Sequence, residues 1–237
     1  MSNASATASA FALALTCAGC GSWSGFGFDA GGPEMPRLRQ ALALKEGMVL
    51  ADVGAGKGQL TLALAREAGS RGRVFSTEID PARLARLREA VGRAGLDNIT
   101  VVEAQSRETG LPPSCCDAIV LRRVYHHLTD PSSINASLLQ SLRPGGVLVI
   151  IDLPPPFSWL RGSLGVPAQV VIDEIKARGF ELVQLISDWP GRGPLESYCA
   201  VFRKPRTGVS IHQLASSHYK VSFTPARFHG SPRESTS

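Results

Sequence analysis

Apolar positions follow two different spacings along the middle of this chain. Short continuous apolar runs are typical of buried strands, and apolar residues three and four positions apart are typical of helices. Strands are predicted at residues 49–53, 74–77, 99–102, 118–121, 147–151, 180–186 and 198–202, and helices at 60–68, 81–91, 131–142 and 167–177. Alternation of strands and helices at this spacing predicts a parallel sheet with helices on both faces.

The last two predicted strands differ from the others, because no helix pattern lies between them. Their link, residues 187–196, contains two glycines and two prolines. Strands joined in this way are expected to pair antiparallel.

The strongest chemical signal follows the first predicted strand. Asp52 is followed by Gly54, Gly56 and Gly58, and a helix pattern begins directly afterwards. A strand, a glycine loop and a helix in this order let backbone N–H groups approach a ligand at the helix N-terminus. Glu78 ends the next apolar run at a spacing that suits the hydroxyls of a ribose. The sequence therefore predicts a cofactor that contains a nucleoside.

The spacing of the glycines narrows the choice of cofactor. The dinucleotide fingerprint Gly-x-Gly-x-x-Gly would place its third glycine at Gln59, whereas the third glycine here is Gly58. An NAD(P)-dependent oxidoreductase is therefore an alternative only. It would also need a substrate domain that the length of 237 residues does not supply.

Four segments in order resemble the class I S-adenosylmethionine (SAM) dependent methyltransferases: residues 52–58, 77–80, 117–121 and 142–152. Residues 124–128 and 179–204 resemble a small bacterial subgroup of unassigned substrate within that family. The resemblance covers about residues 37–205. It implies an α/β fold with a doubly wound, mostly parallel, Rossmann-like seven-stranded sheet whose last strand is reversed. It also implies methyl transfer from SAM to O, N or S of a small-molecule acceptor.

The same resemblance implies contacts to the cofactor. The three glycines would wrap the methionine part of SAM, Asp52 would face its amino group, and Glu78 would accept both ribose hydroxyls. Ile79 would pack on the adenine ring. Gln105 stands where the family often has an acid for the adenine amino group, and an amide oxygen can still accept that bond. The expected cofactor-binding set is Asp52, Gly54, Gly56, Gly58, Glu78, Ile79 and Gln105.

Residues after the fourth strand face the transferred methyl group in the fold that the resemblance implies. Tyr125 and His126 are the candidate catalytic residues, because either could orient or deprotonate a nucleophile. Asp152, at the end of the fifth strand, is a further candidate, and Arg123 favours an anionic acceptor or a degraded site. The Pro- and Gly-rich insert at residues 153–166 is either a substrate lid or a surface loop. No metal is expected.

Charge points to no additional class of partner. The net charge of +5 owes much to residues 206–237, which hold four basic residues and one acid. No Asn/Asp-Pro-Pro-Tyr sequence follows the fourth strand, so neither charge nor motif favours a nucleic acid. The oligomeric state is left open. A non-catalytic SAM-binding or interaction protein is the second alternative, because Arg123 and Gln105 depart from the family pattern.

The two ends differ from the middle in composition. Residues 1–36 are expected to form an extension, 37–205 the methyltransferase domain, and 206–237 a disordered tail. Residues 10–20 resemble a secretory segment, but no basic residue precedes Arg37, and the run is too short to span a bilayer. A cytoplasmic location is expected, because SAM is made there, and export or lipid anchoring is the alternative.

The five cysteines show no framework of disulfides or zinc ligands. Cys17 and Cys20 form one CxxC, Cys115 and Cys116 are adjacent, and Cys199 lies in a predicted strand. Because adjacent cysteines rarely bridge each other, reduced thiols are expected.

Overall fold

A mixed seven-stranded sheet organises the protein. The computed structural model describes residues 28–155, 165–190 and 197–206. In chain order the elements are α1 (Glu34–Ala41), β1 (Val49–Val53), α2 (Gln59–Ala68), β2 (Arg73–Glu78), α3 (Pro81–Ala94), β3 (Ile99–Glu103), β4 (Cys116–Arg122), a 3-10 helix (Tyr125–His127), α4 (Pro131–Ser141), β5 (Leu142–Asp152), α5 (Ala168–Lys176), β6 (Glu181–Trp189) and β7 (Ser197–Arg203). The strand order is β3-β2-β1-β4-β5-β7-β6.

Strand directions agree with the prediction from the sequence. The pairs β1–β2, β1–β4, β2–β3 and β4–β5 are parallel. Strand β7 lies antiparallel between β5 and β6, with Asp152 opposite Tyr198 and Glu181 opposite Arg203. The doubly wound sheet with a reversed last strand is therefore confirmed.

Apolar layers cover both faces of the sheet. Successive residues of a strand point to opposite faces, so Ile119 and Leu121 of β4 join one layer and Val120 joins the other. Helices α4 and α5 pack on the first layer, and α1 and α2 pack on the second. Strands buried on both faces need long apolar runs, and residues 118–121 of β4 and 147–151 of β5 supply them.

The expected start of α3 is confirmed in detail. Oδ1 of Asp80 accepts a hydrogen bond from the N–H of Arg83 at 2.8 Å, and Pro81 occupies the first helical position. Asp130 caps α4 in the same way, through the N–H of Ser133 at 3.0 Å. Both caps satisfy N–H groups that the helix cannot satisfy itself.

The segment between α4 and β5 differs from the prediction. We expected the helix to run to residue 142 and a turn to follow at 144–146, but β5 begins directly at Leu142. Leu142 pairs with Cys116 ahead of a register irregularity in β4. Gly145 has a φ of +80° and donates its N–H to the carbonyl of Lys204 at 2.9 Å. Residues 144–146 therefore lie within β5, because Leu142 and Val147 on either side of them both pair with β4.

Helix α1 was missed by the sequence analysis, and the expected domain boundary at residue 36 falls inside it. Phe28, Met35 and Leu38 are buried in the layer that α1 and α2 cover. The helix is only eight residues long, and half of its residues are polar. Its short apolar pattern gave no periodic signal, although Met35 and Leu38 are buried.

The adjacent cysteines are bonded in this structure, so the expectation of reduced thiols is wrong for this pair. Cys115 and Cys116 form a disulfide at the start of β4, where the backbone holds the two neighbouring sulfur atoms together. Cys199 is a buried free thiol, as expected. Cys17 and Cys20 lie outside the described residues.

Candidate active site

The glycine loop connects β1 to α2 and lies against β2. The N–H groups of Gly54 and Ala55 both donate to the carbonyl of Thr77 at 2.9 Å. Gly54 has a φ of +74°, and a Cβ there would lie 2.5 Å from Cγ2 of Val124. Only glycine fits between the loop and the segment after β4. This contact joins the loop to the residues after β4 at the carboxyl edge of the sheet, where such sheets bind ligands.

Gly56 and Gly58 shape the beginning of α2. Their φ angles are +55° and +78°, and a Cβ on Gly56 would meet nothing within 4 Å, whereas one on Gly58 would lie 2.7 Å from Leu87. Gly58 is the N-cap of α2 and has no side chain of its own to cap the helix. Asp52 accepts from the backbone N–H of Thr61 in the first turn, so an incoming acceptor group would meet the N–H groups of Gln59 and Leu60.

Glu78 ends β2 and holds the glycine loop in place. Its side chain is buried, with Oε2 accepting from the N–H of Gly56 at 2.9 Å. Oε1 accepts from the N–H groups of Ile79 at 2.9 Å and Asp80 at 3.0 Å. A carboxylate has about four lone-pair sites, so an acceptor site remains for an incoming hydroxyl. The residue predicted to bind ribose also fixes the loop that would surround the rest of the cofactor.

Ile79 and Gln105 lie beyond the ends of β2 and β3. Ile79 is 52 % exposed, an unusual state for a large aliphatic side chain next to a buried acid. Gln105 is exposed, and its backbone exchanges hydrogen bonds with Glu108 in a tight turn. The N–H of Ala104 donates to the carbonyl of Glu78 at 3.0 Å. This bond keeps the turn that carries Gln105 next to the end of β2.

Asp52 faces helix α2 rather than open solvent. It is buried, and the hydroxyl of Thr61 donates to its Oδ2 at 2.6 Å. The same hydroxyl contacts that of Ser76 at 2.7 Å. Burial raises the pKa of Asp52 to about 6, and the Thr61 hydrogen bond and the charge of Arg122 oppose this rise. The structure thus gives Asp52 a role in attaching α2 to the sheet, and Thr61 is a partner that the sequence analysis missed.

The Tyr125 hydroxyl points into the protein. It donates to Oε2 of Glu174 at 2.6 Å and accepts from Nδ2 of Asn135 at 2.8 Å. Burial raises the pKa of Tyr125 far above its ordinary value. A hydroxyl held between α4 and α5 is poorly placed to meet an acceptor. The geometry therefore favours an anchoring role for Tyr125 over the catalytic role expected from the sequence.

His126 and Asp152 form a buried pair at the ends of β4 and β5. The distance between Nδ1 of His126 and Oδ1 of Asp152 is 2.6 Å, and Asp152 is completely buried. Oδ2 of Asp152 accepts from the N–H of His126 at 3.1 Å, and Oδ1 also accepts from the N–H of Leu153 at 2.7 Å. The sequence analysis considered both residues, and the structure brings them together.

A buried ion pair attaches α1 to this edge of the sheet. The guanidinium of Arg122 donates two hydrogen bonds of 2.8 Å to the carboxylate of Glu34. Nε1 of Trp189 donates to the same carboxylate at 3.0 Å, and Arg122 lies over the ring of Phe28 at 5.4 Å. We call these four residues the Glu34 cluster. No local pattern in the sequence indicates it.

Arg123 lies between the Glu34 cluster and Asp152. It has a φ of +57°, an uncommon conformation for a residue other than glycine, and its N–H donates to the carbonyl of Ile151 at 2.7 Å. Burial, and then the neighbouring charge of Arg122, lower the pKa of its guanidinium, whereas Glu34 and Asp152 raise it. The backbone thus holds a partly buried positive charge at the carboxyl edge.

The donors and acceptors of this edge fit SAM. Glu78 supplies a buried carboxylate acceptor, the glycine loop leaves open space at Gly56, and Ile79 offers an exposed apolar surface. A ribose, a methionine chain and an adenine ring require these three kinds of surface. Among the residues that the structure describes, no group of three His, Cys, Asp or Glu side chains could hold a metal ion.

Comparisons with known proteins concern the family and the fold. The family described as "Methyltransferase domain" matches residues 51–150. The ubiquinone/menaquinone biosynthesis C-methyltransferase UbiE of Marinomonas sp. (strain MWYL1) is 29% identical over 118 residues, which are 49% of this chain and 47% of the relative. The chain therefore matches about half the length of this curated relative.

Solved structures share the fold. A SAM dependent methyltransferase from Aquifex aeolicus matches with a TM-score of 0.63 and 20% identity, over 75% of this chain and 99% of the other. The [4+2]-cyclase SpnF matches with a TM-score of 0.62 and 18% identity, over 73% and 80% of the two chains. At these identities the likeness concerns the fold alone. The matching domain, the order of the motifs and the sheet topology together support a class I SAM-dependent methyltransferase.

Proposed function

We propose that this protein transfers the methyl group of SAM to a small-molecule acceptor. The observation that carries the proposal is the carboxylate of Glu78, which is buried at the end of β2 and bonded to the N–H of Gly56. An acid buried at this strand end beside a glycine loop can accept hydrogen bonds from the hydroxyls of a bound ribose. When bound, SAM supplies a methyl group on a positively charged sulfur, which an electron-rich atom can attack.

The residues of the chain would position the two reactants. Glu78 would hold the ribose, the N–H groups at the start of α2 would meet the methionine carboxylate, and Ile79 would cover one face of the adenine. Gln105, on the turn after β3, would accept from the adenine amino group. Holding the acceptor in line with the methyl group and excluding water supplies much of the rate enhancement in such a transfer.

The acceptor atom is proposed to be O, N or S of a small molecule. Carbon is a second candidate, because the relative from Marinomonas is named a C-methyltransferase. The fold does not decide between these atoms, since the cyclase SpnF shares it. Arg123 supports an acceptor that carries negative charge close to the reacting atom, because its partly buried guanidinium lies at the same edge as His126 and Asp152.

Calorimetric titration of the full-length chain tests the cofactor. SAM and its demethylated product are expected to bind with micromolar affinity, whereas NADH is expected not to bind. Binding of NADH in preference to SAM would support the oxidoreductase alternative instead. SAM binding without release of demethylated product, in a screen of hydroxyl, amine, thiol and activated-carbon acceptors, would support the non-catalytic alternative.

The location is proposed to be the cytoplasm, where SAM is available. Within the described part of the chain, no helix combines the length and the apolar character that a membrane span requires. The apolar segment at residues 10–20 lies outside the described residues, and export or lipid anchoring through it stays the alternative. Immunoblotting of the full-length protein in cell fractions tests this proposal.

A further inference from the structure

The carboxylate of Asp152 is surrounded by hydrogen-bond donors. Oδ1 accepts from Nδ1 of His126 at 2.6 Å and from the N–H of Leu153 at 2.7 Å, and Oδ2 accepts from the N–H of His126 at 3.1 Å. A carboxylate that already accepts two backbone N–H groups is an acceptor toward the imidazole as well. When Nδ1 of His126 donates to this carboxylate, Nε2 of the neutral imidazole holds the lone pair.

The segment that carries His126 is held on both sides. Before it, the Tyr125 hydroxyl is bonded to Glu174 of α5 and Asn135 of α4. After it, the N–H of His127 closes the 3-10 helix on the carbonyl of Val124 at 2.9 Å. A ring fixed by its own backbone, by its neighbour and by Asp152 has little freedom to turn. Such fixation is costly in conformational entropy and suits a group that must meet a reactant in one orientation.

The pair lies beside the glycine loop. Val124, two residues before His126, makes the close contact that only glycine permits at position 54. The imidazole is therefore carried on the segment that touches the proposed cofactor loop. Among the described residues, Nδ1 is the only ring atom of His126 with a hydrogen-bond partner. The side chain is only 6% exposed, so its free nitrogen is shielded from bulk water.

We propose that Asp152 is a positioning residue that presents Nε2 of His126 as the proton acceptor for methyl transfer. The inference rests on the proposed function and names its substrate class, which is acceptors whose reacting group carries an ionisable O–H or S–H. His126 takes the proton that the acceptor loses as a lone pair of the acceptor bonds to the methyl carbon. The electron pair of the broken sulfur–carbon bond stays on sulfur, and His126 releases the proton to buffer after the methylated product has left.

Several charged and titratable groups surround the pair and belong to any account of its pH dependence. The ring of His127 lies 4.0 Å from that of His126, and burial followed by the charge of His126 lowers its pKa. Arg123, after β4, interacts electrostatically with Asp152. Arg83 of α3 interacts with His127 and lowers its pKa. Tyr198 of β7 stands opposite Asp152, and burial raises the pKa of its hydroxyl strongly.

The first test needs no acceptor. In the full-length protein labelled with ¹⁵N-histidine, NMR should show His126 at neutral pH with Nδ1 protonated and Nε2 unprotonated. In Asp152→Asn the preference of His126 for a proton on Nδ1 should be lost. Asp173→Asn, on the exposed face of α5, should leave this preference unchanged. A wild-type ring protonated at Nε2 would overturn the proposal.

The second test measures methyl transfer to two probes that carry a transferable proton at neutral pH, catechol and phenylmethanethiol, and to two that carry none, dimethyl sulfide and pyridine. We expect transfer to catechol or phenylmethanethiol only. His126→Gln should reduce kcat about 100-fold or more and abolish the fall in rate at acid pH. Asp152→Asn should reduce kcat at least about 10-fold with an altered pH profile, and Asp173→Asn should match the wild type.

The SAM affinity of each variant separates the two levels of the proposal. His126→Gln and Asp152→Asn are expected to bind SAM as the wild type does, because neither contacts the proposed cofactor surfaces. Methylation of the probes that lack a proton, SAM binding without transfer to catechol or phenylmethanethiol, or unchanged pH profiles would overturn the role of the pair alone. Failure of the folded wild type to bind SAM would instead overturn the proposed function.

Discussion

Replacing Glu78 by Gln tests the proposed ribose site most directly, because the two side chains have nearly the same shape. The carboxylate accepts three backbone hydrogen bonds of 2.9–3.0 Å. A Gln amide oxygen can keep the two bonds from Ile79 and Asp80. Its NH₂ group must then face the N–H of Gly56, donor against donor.

The size of the effect follows from these bonds. A buried N–H left without an acceptor costs about 1–3 kcal/mol, so Glu78→Gln should lower the free energy of unfolding by about that amount. A ribose hydroxyl would also lose a charged acceptor at the same site. Taking about 2 kcal/mol for that loss, SAM should bind roughly 30-fold more weakly.

Calorimetric titration with SAM and urea unfolding followed by circular dichroism measure the two effects separately. Glu89→Gln, on the exposed face of α3, is the matched control, because it loses only a surface ion pair with Arg93. The reasoning is refuted if folded Glu78→Gln binds SAM within threefold of the wild type.

The remaining predictions concern stability and are read from urea unfolding. Gly54→Ala should lower the free energy of unfolding by about 1–3 kcal/mol, because φ is +74° and the new Cβ would lie 2.5 Å from Val124. Glu34→Gln should cost about 3 kcal/mol, because it leaves the guanidinium of Arg122 buried without its carboxylate. Asp52 has its pKa raised to about 6 in the folded state, so the folded protein binds its proton more tightly than the unfolded chain does. As the pH rises from about 4 to about 6, the free energy of unfolding should therefore fall by up to about 3 kcal/mol relative to that of Asp52→Asn.

Each of these predictions has its own control. Gly56→Ala has a positive φ but open space at Cβ, so it should destabilise the protein less than the Gly54 variant. Glu46→Gln removes only an exposed ion pair with Arg71 and should change stability by less than about 1 kcal/mol. Equal losses of stability in Gly54→Ala and Gly56→Ala would contradict the argument about Gly54. Equal losses of stability in Glu34→Gln and Glu46→Gln would contradict the argument about the buried ion pair. Parallel pH profiles of stability for the wild type and Asp52→Asn would contradict the argument about Asp52.

Features that depend on neighbouring residues in the chain were predictable. The apolar runs of β1 to β5 reflect burial, which the local sequence encodes. The positive φ angles of Gly54, Gly56 and Gly58 reflect a backbone conformation that the local sequence also encodes. The proline and acid that begin α3 are equally local. The reversed β7 followed from the missing helix pattern in the link before it. Helix α1 escaped detection, because a helix of eight residues carries too little periodicity.

Side-chain partners were decided by the tertiary structure. The sequence made Tyr125 and His126 equivalent candidates for catalysis. In the fold, the Tyr125 hydroxyl donates to Glu174, whereas the His126 ring pairs with Asp152. Glu34 meets Arg122, 88 positions later, and Trp189, 155 positions later. Local patterns report which positions are buried and which backbone angles they need. The partner of a buried polar group depends on which strands become neighbours, and the order β1-β4-β5 is set only when the whole sheet packs.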